Sequence, residues 1–389
     1  MYCFDEQIDL HGANAIKVDV LKERYGRDDL LPLWVADMDF GTPDFVLQAL
    51  QKRLQHPIFG YTRAGKGFET AIVDWLQQQH HWAIDPEHLD FVPGVVKAIA
   101  YCVQVFTQAG DKVIIQPPVY HPFKMVIEGN RRLLVNNSLK MVQGKYLMDF
   151  DLLQQQIDER CKLLILCNPH NPGGMVWDAA SLKTLAGICA ERGVLVVSDE
   201  IHADLILQDA PHTPFATVSR EAEQNSITLM SASKTFNVAG LFGSYAIIPN
   251  AGVRRQFYHY LSVNEFNEGS IFAYVAMEAA YRNGHQWLKE LLNYLKGNAA
   301  FIDHYLQANI PQIKAYLPQA SYLMWLDCRD LHLSQKELER LFVDKARLAL
   351  NSGTMFGAQE GQGFMRLNFA TPRANLQIAL DRLKAALKF

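Results

Sequence analysis

Between about residues 89 and 250 the chain carries short, unbroken apolar runs separated by segments of helical periodicity, and this alternation limits the fold more than any other feature of the sequence. The runs include 112–116, 133–136, 163–167, 194–198, 227–230 and 245–248. A strand with one wet face alternates apolar and polar residues, whereas a continuous run predicts a strand covered on both faces. Segments 95–108 and 179–192 carry apolar residues at helical spacing, and Gly193 is placed to stop the second just ahead of a strand. Strands joined by helical crossovers pair mostly in parallel, so the expected class is α/β with a mostly parallel central sheet.

At 389 residues the chain is long enough for two or three units of ordinary size. After Asn283-Gly284 its character shifts: a long helical stretch to about 307, a strand at 322–326, a helix at 335–343, a strand at 364–369 and a terminal helix at 372–387. This predicts a smaller α+β unit. The first residues are expected to join it, giving a large unit at 46–284 and a small one built from 1–45 and 285–389. A net charge of −4 without a Lys/Arg block argues against a nucleic-acid partner, because neutralising phosphates needs a concentrated basic surface. The opening stretch 1–20 is acidic where a signal peptide would be basic and then apolar, and no segment approaches the roughly 18–20 apolar residues of a membrane span. A cytoplasmic setting with no membrane partner is expected. The six cysteines form no C-x-x-C pair, so neither a zinc site nor a disulfide framework is indicated. A small molecule is the expected ligand.

Three motifs fall at the ends of successive predicted strands. Asn168-Pro169-His170-Asn171-Pro172-Gly173-Gly174 follows the run 163–167 and puts a stiffened turn where open α/β sheets bind ligands. Alone it reads more readily as a plain strand-to-helix turn. Asp199 closes the next run, where an acid has no packing role and needs a positive partner such as a protonated pyridine nitrogen, unless it is a helix cap or a surface acid. Lys234, in Ser231-Ala232-Ser233-Lys234-Thr235-Phe236-Asn237, closes the third. A lysine ringed by small hydroxyl residues after a buried strand suits a Schiff base to pyridoxal 5′-phosphate (PLP): an amine able to lose its proton, beside donors for a phosphate. Upstream, Pro93-Gly94-Val95-Val96 opens a helix whose free amides favour an anion. Tyr120 could offer a face to a ring or belong to the core. Arg366, in an apolar strand, needs an anion unless it points to solvent, and its planar fork suits a carboxylate.

Together these motifs resemble fold-type I PLP enzymes, the aspartate aminotransferase superfamily, over essentially the whole chain. Leu33-Trp34-Val35-Ala36-Asp37-Met38-Asp39-Phe40, Ser198-Asp199-Glu200-Ile201-His202 and Ser233-Lys234-Thr235-Phe236-Asn237 look like the MalY/PatB group of cystathionine β-lyases, or C–S lyases. The resemblance implies the aspartate aminotransferase-like fold and PLP as cofactor. It makes Lys234 the Schiff-base lysine and acid–base, Asp199 the partner of the pyridine nitrogen, and Asn171 an amide near the ring hydroxyl and the substrate carboxylate. Tyr120 would stack on the ring, His202 lie near its hydroxyl, Arg366 hold the substrate carboxylate and Ala36 border the substrate. The amides of Val95 and Val96 with Ser231 and Ser233 would hold the phosphate. Tyr61 would reach a neighbouring site across a homodimer interface. The implied reaction is β-elimination from a sulfur-containing amino acid to a thiol, pyruvate and ammonia. An aminotransferase shares its early steps, and a regulatory protein-binding role is a third possibility. His202 stands where many aminotransferases carry Tyr; the usual phosphate-binding arginine is missing from Gly240-Leu241-Phe242-Gly243-Ser244; and Lys97 follows the Gly94 turn where a neutral residue is expected.

Overall fold

The computed structural model describes residues 2–208 and 211–387; positions 1, 388 and 389 of the expected smaller unit lie outside the described residues. Seven strands form the main sheet: β1 (Leu89–Val92), β2 (Lys112–Ile115), β3 (Leu133–Asn136), β4 (Cys161–Cys167), β5 (Leu195–Asp199), β6 (Ser226–Met230) and β7 (Ser244–Ile247). Their order is β1-β7-β6-β5-β4-β2-β3. Pairing is parallel from β6 through β3, and β7 runs antiparallel to both β6 and β1.

The unbroken apolar runs follow from two covered faces. Leu163, Ile165 and Cys167 of β4 pack with Val95, Ile99 and Cys102 of the helix Val95–Phe106. Leu164 and Leu166 pack on the other side with Leu182, Leu185 and Cys189 of the helix Ala179–Glu191. Each such side chain taken from water contributes about 1.5–3 kcal/mol, and alternate residues of one strand supply both layers. β3 departs from the expectation: it is the sheet edge, and Leu133 is 44% exposed.

A second, antiparallel sheet is built from β8 (Lys314–Ala315), β9 (Leu323–Asp327), β10 (Asn351–Ser352) and β11 (Phe364–Asn368), in the order β8-β9-β11-β10. The long helix is His285–Asn309 and the last is Arg373–Leu387. The expected helix at 335–343 is α-helical only over Gln335–Arg340 and continues as a π-helical turn, Leu341–Lys345. From the other end of the chain, Leu31 and Pro32 pair in parallel with Leu348 and Ala349. Asn368 of β11 donates its amide to the carbonyls of Val35 and Asp37, so the segment 33–40 is strapped between the two sheets. Among the described residues no helix is long and apolar enough to cross a membrane.

Candidate active site

β4, β5 and β6 finish at one edge of the sheet, and the pairing of Cys167 with Asp199 and of Asp199 with Leu229 keeps their ends level. Whatever follows each strand is delivered to one place. After β4, the turn is tied back by Asn168 N–H to the Asp199 carbonyl (2.9 Å) and by Asn171 N–H to the Cys167 sulfur (3.3 Å). After β1, Gly94 holds φ +119°, a conformation that glycine adopts without strain. The helix that follows begins its bonding from Ala98 N–H to the Gly94 carbonyl and has no side-chain cap, so its first amides lack helical partners.

These segments enclose a cavity of ≈ 370 Å³ lined by Ala36, Val95, Val96, Tyr120, Asn171, Asp199, His202, Ser233 and Lys234 among others. Arg366 stands behind the Asn171 wall: Nη1 donates to Asn171 Oδ1 (3.0 Å) and Nη2 to the Trp34 carbonyl (2.9 Å), with the Phe356 ring 4.8 Å from its guanidinium carbon. It is 3% exposed, which answers the question of a solvent-facing arginine. Ser231 does not line the cavity. Its hydroxyl donates to the Gly243 carbonyl (2.6 Å) and accepts from Ser233 N–H (3.0 Å), so it shapes the loop that presents Ser233. Tyr61 is fully exposed, beside Phe59 and Gly60 in a separate surface hollow, and takes no part in the cavity of its own chain.

Burial governs the electrostatics. The Lys234 Nζ donates to the Ala36 carbonyl (2.6 Å), and desolvation pulls its pKa below the ordinary lysine value, opposed by the Asp37 charge and reinforced by Arg366. Desolvation raises the Asp199 carboxyl to about 7 against the pull of the Ile201 N–H and Lys234. His202 is pushed down to about 3 by burial and the neighbouring Lys234 and Arg366 charges, so its ring is neutral. Burial lowers Arg366 only to about 10, and it stays a cation at neutral pH. His202 Nδ1 and Arg366 Nε are buried without a hydrogen-bond partner among the described residues. The cavity thus offers a buried acid, an amine whose pKa burial lowers, helix amides without helical partners and an aromatic wall: a recipient for a flat, basic, anionic guest.

Two buried acids that the sequence reading did not single out hold the reactive pair. Asp204 accepts from Trp75 Nε1 (3.0 Å) and Thr235 Oγ1 (2.8 Å) and faces His80 Nε2 (2.8 Å), which fixes the residue after Lys234. Glu200 accepts from Ser198 Oγ (2.8 Å) and Phe215 N–H (2.8 Å) and faces His212 Nε2 (2.7 Å), which fixes the residue after Asp199. An acid inside the apolar stretch 203–207 was the only local sign of Asp204; its partners lie far away in sequence.

Residues 28–383 match the family described as aminotransferase class I and II. The chain is 43% identical over 385 residues to cystathionine beta-lyase PatB of Bacillus subtilis, covering 99% of each. It is 35% identical over 394 residues to protein MalY of Escherichia coli, covering 100% of this chain and 99% of the relative. Among solved structures it is similar to the PLP-bound C-S lyase from Staphylococcus hominis, with a TM-score of 0.92, 34% identity, and coverage of 100% of this chain and 99% of that one.

Proposed function

From its place in the aminotransferase class I and II family, to which this chain belongs, we infer that it is a PLP-dependent C–S lyase acting on cystathionine or a related cysteine S-conjugate. The observation that carries this reading is the meeting of Lys234, Asp199 and the Asn171–Arg366 pair at one sheet edge around one cavity. The residues fit the cofactor. Asp199 supplies the buried charge that a ring nitrogen's proton would satisfy, Tyr120 an aromatic wall, Lys234 the amine, and the uncapped helix with Ser233 the donors for a phosphate.

The chemistry that PLP supplies when bound is a sink for the electron pair left at Cα. Lys234, whose pKa burial lowers, is the base that takes the Cα proton. Asp199 holds the proton at the ring nitrogen, where charge develops. Arg366 and Asn171 grip the substrate carboxylate and so aim the Cα–H bond at Lys234. The proton that Lys234 took from Cα can pass to the β-sulfur as the Cβ–S bond breaks, so sulfur leaves as a thiol; the three-carbon enamine that remains tautomerises to an imine, which water hydrolyses to pyruvate and ammonia.

The wider arrangement is part of this proposal. The unit at 46–284 carries the cavity except for Ala36, and 1–45 joins 285–389, a division supported by the pairing of Leu31 with Leu348 and the Arg366–Trp34 bond. A homodimer, with Tyr61 entering the neighbouring site, is supported by the exposed Ile58, Phe59 and Tyr61. A cytoplasmic setting is consistent with six free cysteines.

The test supplies L-cystathionine to PLP-loaded protein with no keto acid present. Equal amounts of pyruvate and free thiol over many turnovers are expected. A change limited to one cofactor equivalent, restored by a keto acid, would mean transamination and overturn the lyase reading.

A further inference from the structure

Lys97 is the third residue of the helix Val95–Phe106 and lines the cavity. A cation in the first turn opposes the helix dipole and stands beside amides that already favour an anion, so its position is unfavourable unless an anion comes to it. Among the described residues it has no carboxylate partner; its Nζ lies 4.5 Å from the centroid of the Phe242 ring. That ring is 58% exposed, and Phe242 holds φ +54°, a region in which a bulky side chain is strained. Gly243 and Ser244, which follow it, line the same cavity.

The charges of the cavity are few. Its lining residues include two cations, Lys97 and Lys234, and the loop 231–244 contributes hydroxyls and amides but no cation besides Lys234. Lys234 is committed to the reacting carbon, and Arg366 is engaged by Asn171 and Trp34 on the opposite side. A phosphate monoester brings between one and two negative charges at neutral pH. Helix amides and a serine hydroxyl supply hydrogen bonds, yet only partial charge.

We propose that Lys97 is the cationic ligand of the cofactor phosphate and that the Phe242 face is the resting place of its ammonium when no phosphate is bound. The proposal rests on the PLP assignment. A cation–π contact at an exposed ring is weak, and a charge-assisted bond to a phosphate oxygen replaces it readily.

Equilibrium dialysis of apoprotein against PLP and, separately, against pyridoxal isolates the phosphate. Lys97→Met should weaken PLP binding by about tenfold or more while leaving pyridoxal within about twofold, and Lys97→Arg should stay within about threefold of wild type for both. The wild-type preference for PLP over pyridoxal should narrow as salt is raised, because the contact is ionic. Unchanged PLP affinity in Lys97→Met, or equal losses for PLP and pyridoxal in both variants, would overturn the role of Lys97. Wild-type protein that took up neither compound would instead overturn the cofactor assignment beneath it.

Discussion

Asp199 and Lys234 are both moved toward neutrality by the same cause, removal from water, although they carry opposite charges when ionised. In the folded apoprotein Asp199 keeps its proton to about pH 7, whereas the unfolded chain releases it near 3.8. The native state therefore binds the extra proton in that window, and the stability due to this group, complete below pH 3.8, declines as pH rises through about 7. Melting curves of apo Asp199→Asn should lose less Tm than wild type between pH 4 and 7; parallel curves would mean that Asp199 is already ionised in the apoprotein. Adding PLP to wild type should shrink its loss, since a cationic ring nitrogen stabilises the carboxylate. His202, lowered to about 3, remains neutral throughout and acts only as a hydrogen-bonding group.

Among the elements, the helix Val95–Phe106 depends most on one backbone position. A Cβ at Gly94 would meet nothing within 4 Å, so the difficulty with Gly94→Ala lies in φ +119° and not in space. That substitution should cost about 1–3 kcal/mol in denaturant unfolding and loosen PLP, because relief of the strain turns the first amides away. An alanine variant with wild-type stability and PLP affinity would show that the turn is dispensable. β4, β5 and β6 were legible in the sequence because both faces are covered, and their carboxyl ends carried the site motifs with them. β3 was legible as a strand but not as an edge, since Leu133 looks the same in either place. The hairpin Lys140–Val142 with Lys145–Leu147 escaped notice: its strands are short and half exposed, and leave almost no periodicity. Arg366 announced that it needed an acceptor, but nothing in its own strand named Asn171 and Trp34, which the fold brings from far along the chain.

For the molecule as a whole, the proposed homodimer makes each site the work of two chains, and this can be counted. Lys234→Ala and Tyr61→Ala proteins should each be inactive or nearly so. Unfolded together in equal amounts and refolded, they should recover about a quarter of wild-type activity, since half of the dimers are mixed and one of the two sites in each is intact. No recovery would assign Tyr61 to its own chain, and wild-type activity of Tyr61→Ala alone would assign it to no site. Within one chain, the strap at 33–40 reaches the site through the Ala36 carbonyl, which accepts from both the Lys234 amine and the Tyr322 hydroxyl (3.0 Å). A buried carbonyl needs at least one donor, and Tyr322 remains when Lys234 departs. The amine can therefore turn away toward a bound guest without stranding that carbonyl, so the wall keeps its hydrogen bonding whichever way the lysine points.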